Sequence, residues 1–191
     1  VWQAEDSSNV TVAKREQNII VRGYAQQYAY INRTDVRAGL KSSQAVQNKC
    51  SAAAKAINGS AVSVALHVRR GDGAYQTKLD YLQSSIALLQ ERLGVSVRRF
   101  CFVVATDSTE WVQKEVIPML LKSGSSCIHF EARQPAVDLC LLSLCKHAIL
   151  SGGTFSFMIG LLRPREDGLV LFDRTFFPWK LWRCGTPFKN E

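Results

Sequence analysis

The sequence predicts an α/β protein in which a parallel sheet carries helices on both of its faces. From residue 61 to about residue 175, short apolar runs rich in β-branched residues alternate at least four times with segments of helical periodicity. Hydrophobic residues make up 47% of the 191 residues and charged residues 21%, so the chain can bury a core and is not disordered. This pattern is typical of a Rossmann-like domain.

The first strand and helix of this domain have clear sequence signals. The run "AVSVALHV", residues 61–68, is β-branched and apolar, as expected of a buried strand. After a charged loop, apolar residues recur at steps of three and four, which predicts a helix with one apolar stripe, closed by Gly94: Leu79, Leu82, Ile86, Leu89 and Leu93.

The second unit begins with the strand "RRFCFVVAT", residues 98–106. In the helix that follows, "DSTEWVQKEVIPMLLKSG", Asp107 and Glu110 have the spacing of a capping box, and Gly124 is the predicted stop. Pro118 is expected to kink this helix or to end it early, because proline lacks the backbone N–H.

The remaining elements follow in the same order. "CIHFEA", residues 127–132, is a short third strand, and a third helix running into "HAILSG" is marked by Val137, Leu141, Leu144 and Ala148. A Gly-Gly-Thr turn, an apolar helix through "FSFMIGLL" and a strand at "GLVLF" complete the pattern.

Two domains are predicted, 1–60 and 61–191. Residues 1–60 are polar and rich in Gln, Ala and Asn, with helices expected around "GYAQQYAYI" and "SQAVQNKCSAAAKAI", and we interpret them as the tail of a preceding domain. The aromatic "TFFPWKLWRC" near the C-terminus is expected to pack against the core of the second domain.

Charge and compartment signals narrow the possible partners. A net charge of +8 favours an anionic partner: phosphate, nucleotide, nucleic acid or membrane surface. The longest apolar runs fall far short of the ~20 residues of a membrane helix, so the chain is either soluble or lacks an N-terminal portion. Three N-glycosylation sequons, at Asn9, Asn32 and Asn58, favour a secretory compartment.

The six cysteines show neither a C-x-x-C pair nor the Cys/His spacing of a zinc site, so no metal site is predicted. Three of them, Cys101, Cys140 and Cys145, sit inside apolar segments and are expected to be buried free thiols. One or two disulfides are possible, and the cysteines most expected in them are Cys50, Cys127 and Cys184.

The segment "HVRRGD", residues 67–72, follows the first strand and is the first candidate site. Arg69 and Arg70 can offer forked donors to phosphate oxygens, and Gly71 lets the backbone approach a ligand closely. Asp72 could orient an arginine or accept a proton. For an arbitrary "RRGD" the favoured alternative is a solvated turn with a local Arg–Asp pair, and an adhesion-type RGD is a weaker one.

Two further clusters lie at strand ends of the same predicted sheet, where open parallel sheets bind ligands. In "SGGTFS", Gly153, Thr154 and Ser156 at a helix start would form an anion-binding nest, although a plain glycine turn with Thr154 as helix cap is the simpler reading. Asp107 and Asp138 read most simply as helix caps, while a carboxylate here could bind the guanine N–H edge. His129 and His147 are expected to be structural. Together the clusters predict a site for a nucleoside diphosphate.

Four segments carry a family resemblance. In sequence and order they resemble the α-1,2-fucosyltransferase family: "HVRRGD", "YLQSSIALL", "FCFVVATDSTEW" and "DLCLLSLCKHAILSGGTFSFMIGLL". "RGYAQQYAYI" extends the resemblance to roughly residues 20–175.

The resemblance implies the C-terminal half of a GT-B-like glycosyltransferase that uses GDP-L-fucose. It implies inverting, metal-independent transfer of fucose to the 2-hydroxyl of a β-galactoside by a type II membrane protein of the Golgi lumen, with no cofactor. Residues 1–60 would then be the remainder of an acceptor-side region. The implied donor-binding residues are Arg69, Arg70, Gly71, Asp138, Gly153, Thr154 and Ser156.

By the same resemblance, Arg69 would contact the diphosphate, His67 and Arg70 would shape the loop, and Asp138 would lie near the guanine. The candidate general base is Asp72, with His67 second, and Arg69 completes the catalytic set. Residues 73–80 form a shorter insert than in vertebrate members, and "SGGTFSFMIG" lacks tryptophans that some members have. Both departures bear on the acceptor more than on the donor.

Other functions stay open at this point. A fucosyltransferase with a chitin-type or N-glycan-core acceptor would share the donor site, and a non-catalytic carbohydrate- or nucleotide-binding module would share the fold. Nucleic-acid binding is disfavoured because the arginines sit in separate loops and in the aromatic tail, not along one basic stripe with interleaved aromatics.

Overall fold

A computed structural model of the chain describes residues 2–3, 21–22, 39–40, 42–57, 62–71, 76–131, 134–163 and 167–173. The strands are β1 (Trp2–Gln3), β2 (Val21–Arg22), β3 (Val62–Val68), β4 (Phe100–Thr106), β5 (Cys127–Phe130), β6 (His147–Leu150) and β7 (Val170–Phe172). The helices are α1 (Gln44–Ile57), α2 (Leu79–Leu93), α3 (109–122), α4 (Pro135–Leu144) and α5 (Thr154–Leu162), with a 3₁₀ turn at Val97–Arg99.

Five strands form one parallel sheet in the order β5-β4-β3-β6-β7, while β1 and β2 pair separately. The earliest strand of the large sheet, β3, is therefore central, and the chain builds outward from it first on one side and then on the other. The direction of winding reverses between β3 and β6, which is where doubly wound sheets open a crevice for ligands.

Helices cover both faces of this sheet, as predicted. On one face, Leu66 and Phe102 pack against apolar residues of α2 and α3. On the other face, Ala65 and Val103 pack against residues of α1, α4 and α5. The side chains of a strand point alternately to the two faces, so both sets come from the same buried strands.

Helix α3 differs from its prediction in two ways. Its first turn, Thr109–Trp111, continues through a π-helical turn, Val112–Val116, into the α-helical Ile117–Lys122. The wider turn directly precedes Pro118, which cannot donate a backbone hydrogen bond, so the helical run continues past the proline and does not end early. The predicted capping box is also wrong, since the helix is preceded by Ser108 and the Asp107 carboxylate binds elsewhere. Gly124 ends α3 with φ 97°, as expected.

The predicted third helix ends earlier than its spacing indicated. Helix α4 stops at Leu144, and Ala148 lies in β6, so the placement of Ala148 on a helix is wrong. Strand β6 pairs with β3 on one side and β7 on the other, and the hydrogen bonds of this ladder override a helical spacing that continues into it.

Two disulfides form among the described cysteines, Cys50–Cys140 and Cys101–Cys127. Cys50 and Cys127 were expected in disulfides, but their partners, Cys101 and Cys140, were expected to be free, and that expectation is wrong. An apolar segment can place two thiols side by side: Cys101 and Cys127 are register partners on adjacent strands. Cys145 is buried and takes part in neither disulfide, as predicted, and Cys184 lies outside the described residues.

Helix α1 belongs to the layer that covers the sheet. It packs on α4, buries Cys50 and Ile57, and is joined to α4 by the Cys50–Cys140 disulfide. The helix predicted over 43–57 is thus confirmed, while the domain boundary at residue 60 stays a prediction. In the described part of the chain, every helix is too short or too polar to cross a membrane.

Candidate functional site

The carboxyl ends of β3 and β6 are joined at the point where the winding of the sheet reverses. Ser151, directly after β6, donates its backbone N–H to the His67 carbonyl at 3.2 Å. Its Oγ accepts a hydrogen bond from the Arg69 backbone N–H at 3.0 Å. The described part of the predicted segment 67–72 therefore meets the predicted segment 151–156 in space.

His67 lies beneath this junction and is only 6% exposed. Its Nδ1 is 2.6 Å from the Ser156 Oγ and 3.4 Å from the Ser151 Oγ, and its ring lies 4.9 Å from that of Phe155. Burial lowers the pKa of His67 to about 4; the nearby Asp107 opposes this shift, and Arg69 adds a smaller lowering effect. The ring is thus neutral at pH 7, and its Nδ1 can accept the Ser156 hydroxyl hydrogen.

Arg69 is anchored through its backbone while its side chain reaches the surface. Thr77 donates both its backbone N–H and its hydroxyl to the Arg69 carbonyl, at 2.9 and 2.7 Å. The Arg69 side chain is 36% exposed, and its Nη1 lies 2.6 Å from the Asp107 Oδ2. The guanidinium is therefore held at the edge of the sheet, in contact with solvent.

Asp107 contacts this loop, a role that sequence reasoning did not assign to it. Its Oδ1 accepts the Arg70 backbone N–H at 2.8 Å, and its Oδ2 accepts the Gly71 backbone N–H at 2.9 Å. The sequence signal was its position, immediately after β4, at the same edge of the sheet as the loop after β3. Helix capping is the commoner role for such an aspartate, and that reading hid this one.

The side chain of Arg70 turns away from Arg69. Its guanidinium donates to the Thr77 carbonyl and to the Gln76 Oε1, each at 2.8 Å, and lies 4.1 Å from the centre of the Trp111 ring. The two hydrogen bonds join the described residues before position 72 to those after position 75. They suit Arg70 to shaping the loop.

Helix α5 is directly preceded by Gly153, whose φ of 99° and ψ of 164° are open almost only to glycine. After this turn, Thr154 is exposed, while Ser156 is fully buried and turned toward His67. The anion nest predicted at this helix start stays a prediction. The Ser156 hydroxyl is bound to His67 instead of facing the solvent.

The other predicted residues lie apart or outside the description. Asp138 is half-buried in the first turn of α4, a helix that packs on α5. Asp72, Asn9, Asn32 and Asn58 lie outside the described residues. The roles predicted for them stay predictions.

The two histidines expected to be structural make local contacts. The His147 Nδ1 accepts the Leu169 backbone N–H at 3.1 Å, and burial, with Arg163 and Lys146 nearby, lowers the pKa of His147 to about 4. The His129 Nε2 lies 3.6 Å from the Cys127 Sγ, in a group of potential ligands that includes Cys101. Because the two cysteines are disulfide-bonded, this group is not a donor set for a metal ion.

Comparison with solved structures shows what the fold is similar to. Crystal structures of POFUT1 match without ligand (TM-score 0.50, 14% identity, 72% of this chain and 48% of that chain) and in complex with GDP-fucose (TM-score 0.51, 14% identity, 72% and 49%). This likeness shows the fold: the parallel five-strand sheet with its helices is that of a GT-B protein.

Sequence comparison identifies the family. The O-antigen biosynthesis glycosyltransferase WbnK of Escherichia coli is 27% identical over 134 residues, which cover 64% of this chain and 42% of that protein. The chain thus spans less than half the length of this relative. The model of the family described as Glycosyl transferase family 11 matches residues 15–176. The chain, matched over most of its length, belongs to glycosyl transferase family 11.

Proposed function

We propose that this chain is the donor-binding part of a fucosyltransferase that uses GDP-L-fucose. The observation that carries the proposal is the meeting of Arg69 and the start of α5, through Ser151, where the winding of the sheet reverses. POFUT1, which shares the fold, has been crystallised with GDP-fucose. A net charge of +8 suits an anionic donor.

The donor diphosphate would lie between Arg69 and the N-terminus of α5. A guanidinium offers forked N–H donors to phosphate oxygens, and the first N–H groups of a helix attract an anion. Gly153 and Thr154 would bring backbone and hydroxyl donors to the same anion. Asp138, at the head of the neighbouring helix α4, would accept from the guanine N–H edge.

The proposed reaction is a direct displacement at the anomeric carbon of fucose, with inversion and without a metal ion. A bond forms between the acceptor oxygen and this carbon while the bond to the GDP oxygen breaks, and the acceptor proton passes to a base. GDP leaves with developing negative charge, which Arg69 and the backbone N–H groups at Gly153 and Thr154 would stabilise. Removing such a contact typically costs on the order of 3 kcal/mol of barrier.

Asp72 is the proposed base, since the loop that carries it begins at Arg69. His67 fits a supporting role better, because it is buried, has a pKa near 4 and faces Ser156. It would hold α5 against β3 and thereby fix the turn at Gly153. In this proposal the Asp72 carboxylate, and not His67, accepts the proton of the acceptor hydroxyl and passes it to solvent.

The proposed acceptor is the 2-hydroxyl of a β-galactoside, as the resemblance to α-1,2-fucosyltransferases implies. Residues 73–80 form a shorter insert than in vertebrate members, so a chitin-type or N-glycan-core acceptor is the alternative to test. Screening these three acceptor classes with radiolabelled GDP-fucose separates them.

For the full-length protein we propose the Golgi lumen as its location, with a type II membrane anchor. Support comes from two disulfides, which persist in oxidising compartments, and from sequons at Asn9, Asn32 and Asn58. Treating the secreted chain with an N-glycosidase tests the location. We expect the treatment to increase its electrophoretic mobility.

The donor proposal is tested by calorimetric titration of GDP and GDP-fucose into the chain. We expect binding that Arg69→Ala weakens about tenfold or more, equivalent to at least about 1.4 kcal/mol. Arg92→Ala, which removes an exposed arginine at the end of α2, is the matched control and should bind normally. Absence of binding to the folded wild-type chain contradicts the proposal, and binding without fucose transfer to any acceptor favours a non-catalytic nucleotide-binding module.

A further inference from the structure

The Asp107 carboxylate is bound on three sides by one loop. Its two oxygens accept the backbone N–H groups of Arg70 and Gly71 at 2.8 and 2.9 Å, and Oδ2 also pairs with the Arg69 Nη1 at 2.6 Å. One side chain from the end of β4 therefore contacts three consecutive residues that follow β3.

An aspartate at this position would ordinarily cap the following helix, but the Asp107 carboxylate binds the loop instead. Ser108 precedes α3, and its backbone N–H is accepted by the Thr106 Oγ1 at 2.9 Å. The Thr106 hydroxyl in turn donates to the Val68 carbonyl at 2.8 Å. Thr106 thus joins the start of α3 to the end of β3, and the Asp107 carboxylate binds the loop after β3.

The loop is fitted closely to this carboxylate. A Cβ placed on Gly71 would lie 2.7 Å from the Asp107 Oδ2 and 3.3 Å from its Cγ, both shorter than normal contacts. Any larger residue at position 71 would have to displace Asp107. The glycine is thus required by the approach of the carboxylate, in addition to any approach of a ligand.

We propose that Asp107 is a positioning residue for donor binding, acting through Arg69; the inference rests on the proposed function. Two backbone hydrogen bonds fix the loop, and the ion pair fixes the direction of a long and flexible side chain that is still 36% exposed. An arginine already held in place loses less conformational freedom when it binds a diphosphate. Asp107 does not touch the donor.

The rival reading treats Asp107 as an internal anion that occupies the place of a phosphate. The two readings predict opposite changes in the affinity for GDP when Asp107 is replaced. Removal of a positioning residue weakens GDP binding, whereas removal of an occupying anion strengthens it.

The first test measures GDP binding by calorimetry for Asp107→Asn, Asp107→Ala, Arg69→Ala and the double variant Arg69→Ala/Asp107→Ala. We expect Asp107→Asn to raise the Kd for GDP about tenfold, and the double variant to bind as weakly as Arg69→Ala alone. Glu110→Gln, in the first turn of α3 and exposed, is the control and should leave the Kd unchanged. Normal or tighter binding by Asp107→Asn, or additive losses in the double variant, overturns the inference.

The second test needs no donor. Hydrogen exchange at the Arg70 and Gly71 amides should be about tenfold faster in Asp107→Asn than in the wild-type chain, while the amides of β4 keep their protection. Unchanged exchange at both amides overturns the inference even if GDP binds. Protected amides in a wild-type chain that binds no GDP would instead count against the proposed function.

Gly71→Ala supplies an independent perturbation of the same contact. We expect it to weaken GDP binding in the wild-type chain and to have little further effect once Asp107→Ala has removed the clashing oxygen. Equal losses of GDP affinity in both backgrounds would mean that glycine is needed at position 71 for the approach of the ligand and not of Asp107, which contradicts the inference.

Discussion

The His67 Nδ1 and the Ser156 Oγ lie 2.6 Å apart, although 89 residues separate them in the sequence. This contact joins the central strand β3 to helix α5 beneath the candidate donor site. Both side chains are buried, so loss of either one leaves the other without this partner in a poorly solvated place.

We expect Ser156→Ala to lower the free energy of unfolding by about 1–3 kcal/mol, because the variant removes a buried hydrogen bond. Adding His67→Ala to this variant should cost less than it costs in the wild-type chain, since their shared bond is already lost. Urea unfolding of the four proteins measures the coupling. Ser126→Ala, at an exposed serine, should be neutral, and full additivity of the two buried changes would contradict the expected contact.

Stability should fall as the pH falls from about 6.5 toward 4. His67 and His147 have pKa values near 4 in the folded protein against 6.5 when unfolded, so over this range the unfolded state binds more protons. Each histidine should therefore cost about 2 kcal/mol at pH 5 relative to pH 8. Urea unfolding at several pH values checks this, and the double variant His67→Gln/His147→Gln should show a clearly shallower slope than the wild-type chain.

Gly153→Ala should destabilise the chain by about 1–3 kcal/mol, because its φ of 99° and ψ of 164° are strained for any residue with a Cβ. A Cβ would meet no atom within 4 Å, so the cost comes from the backbone and not from crowding. Thermal unfolding measures the effect. Gly39→Ala is the control, since Gly39 also has open space but is not among the glycines of positive φ.

Loss of the Cys50–Cys140 disulfide should cost more stability than loss of Cys101–Cys127. The first disulfide closes a span of 90 residues, for which the lost entropy of the unfolded chain corresponds to about 4–5 kcal/mol of stability. The second closes a span of 26 residues, which corresponds to about 3–4 kcal/mol. Paired cysteine-to-alanine variants, unfolded in urea, measure both values. The reverse order would show that packing around Cys101 and Cys127 outweighs the entropy of the unfolded chain.

Elements with a strong local signal were predictable from the sequence. The apolar stripe of α2 and its closing Gly94 fixed that helix, and the β-branched runs fixed β3 and β4. Where two signals conflicted, local reasoning failed: Ala148 continues a helical spacing yet pairs with Ala65 in the sheet. Spacing describes one chain segment, whereas a ladder depends on strands made elsewhere in the sequence.

The sequence could predict which strand ends form the candidate site, but not the hydrogen bonds and ion pairs between its side chains. Parallel pairing brings the ends of β3, β4 and β6 to one edge, so the meeting of Arg69 with Ser151 and Asp107 follows from the strand order. The sequence could not show which side chain takes which partner. The turn of Arg70 toward Trp111, and of Ser156 toward His67, depends on packing that residue types alone do not determine.

The central position of β3 has a consequence for synthesis. On one side β3 pairs with β4, but its partner on the other side, β6, is made some 80 residues later, since His147 pairs with Val64. Until then, the nascent chain exposes an apolar edge strand with unpaired backbone groups, a ready template for pairing with other chains. A ribosome that pauses before residue 147 would therefore hold an aggregation-prone chain, and a truncation there would lose solubility together with the part of the site that follows β6.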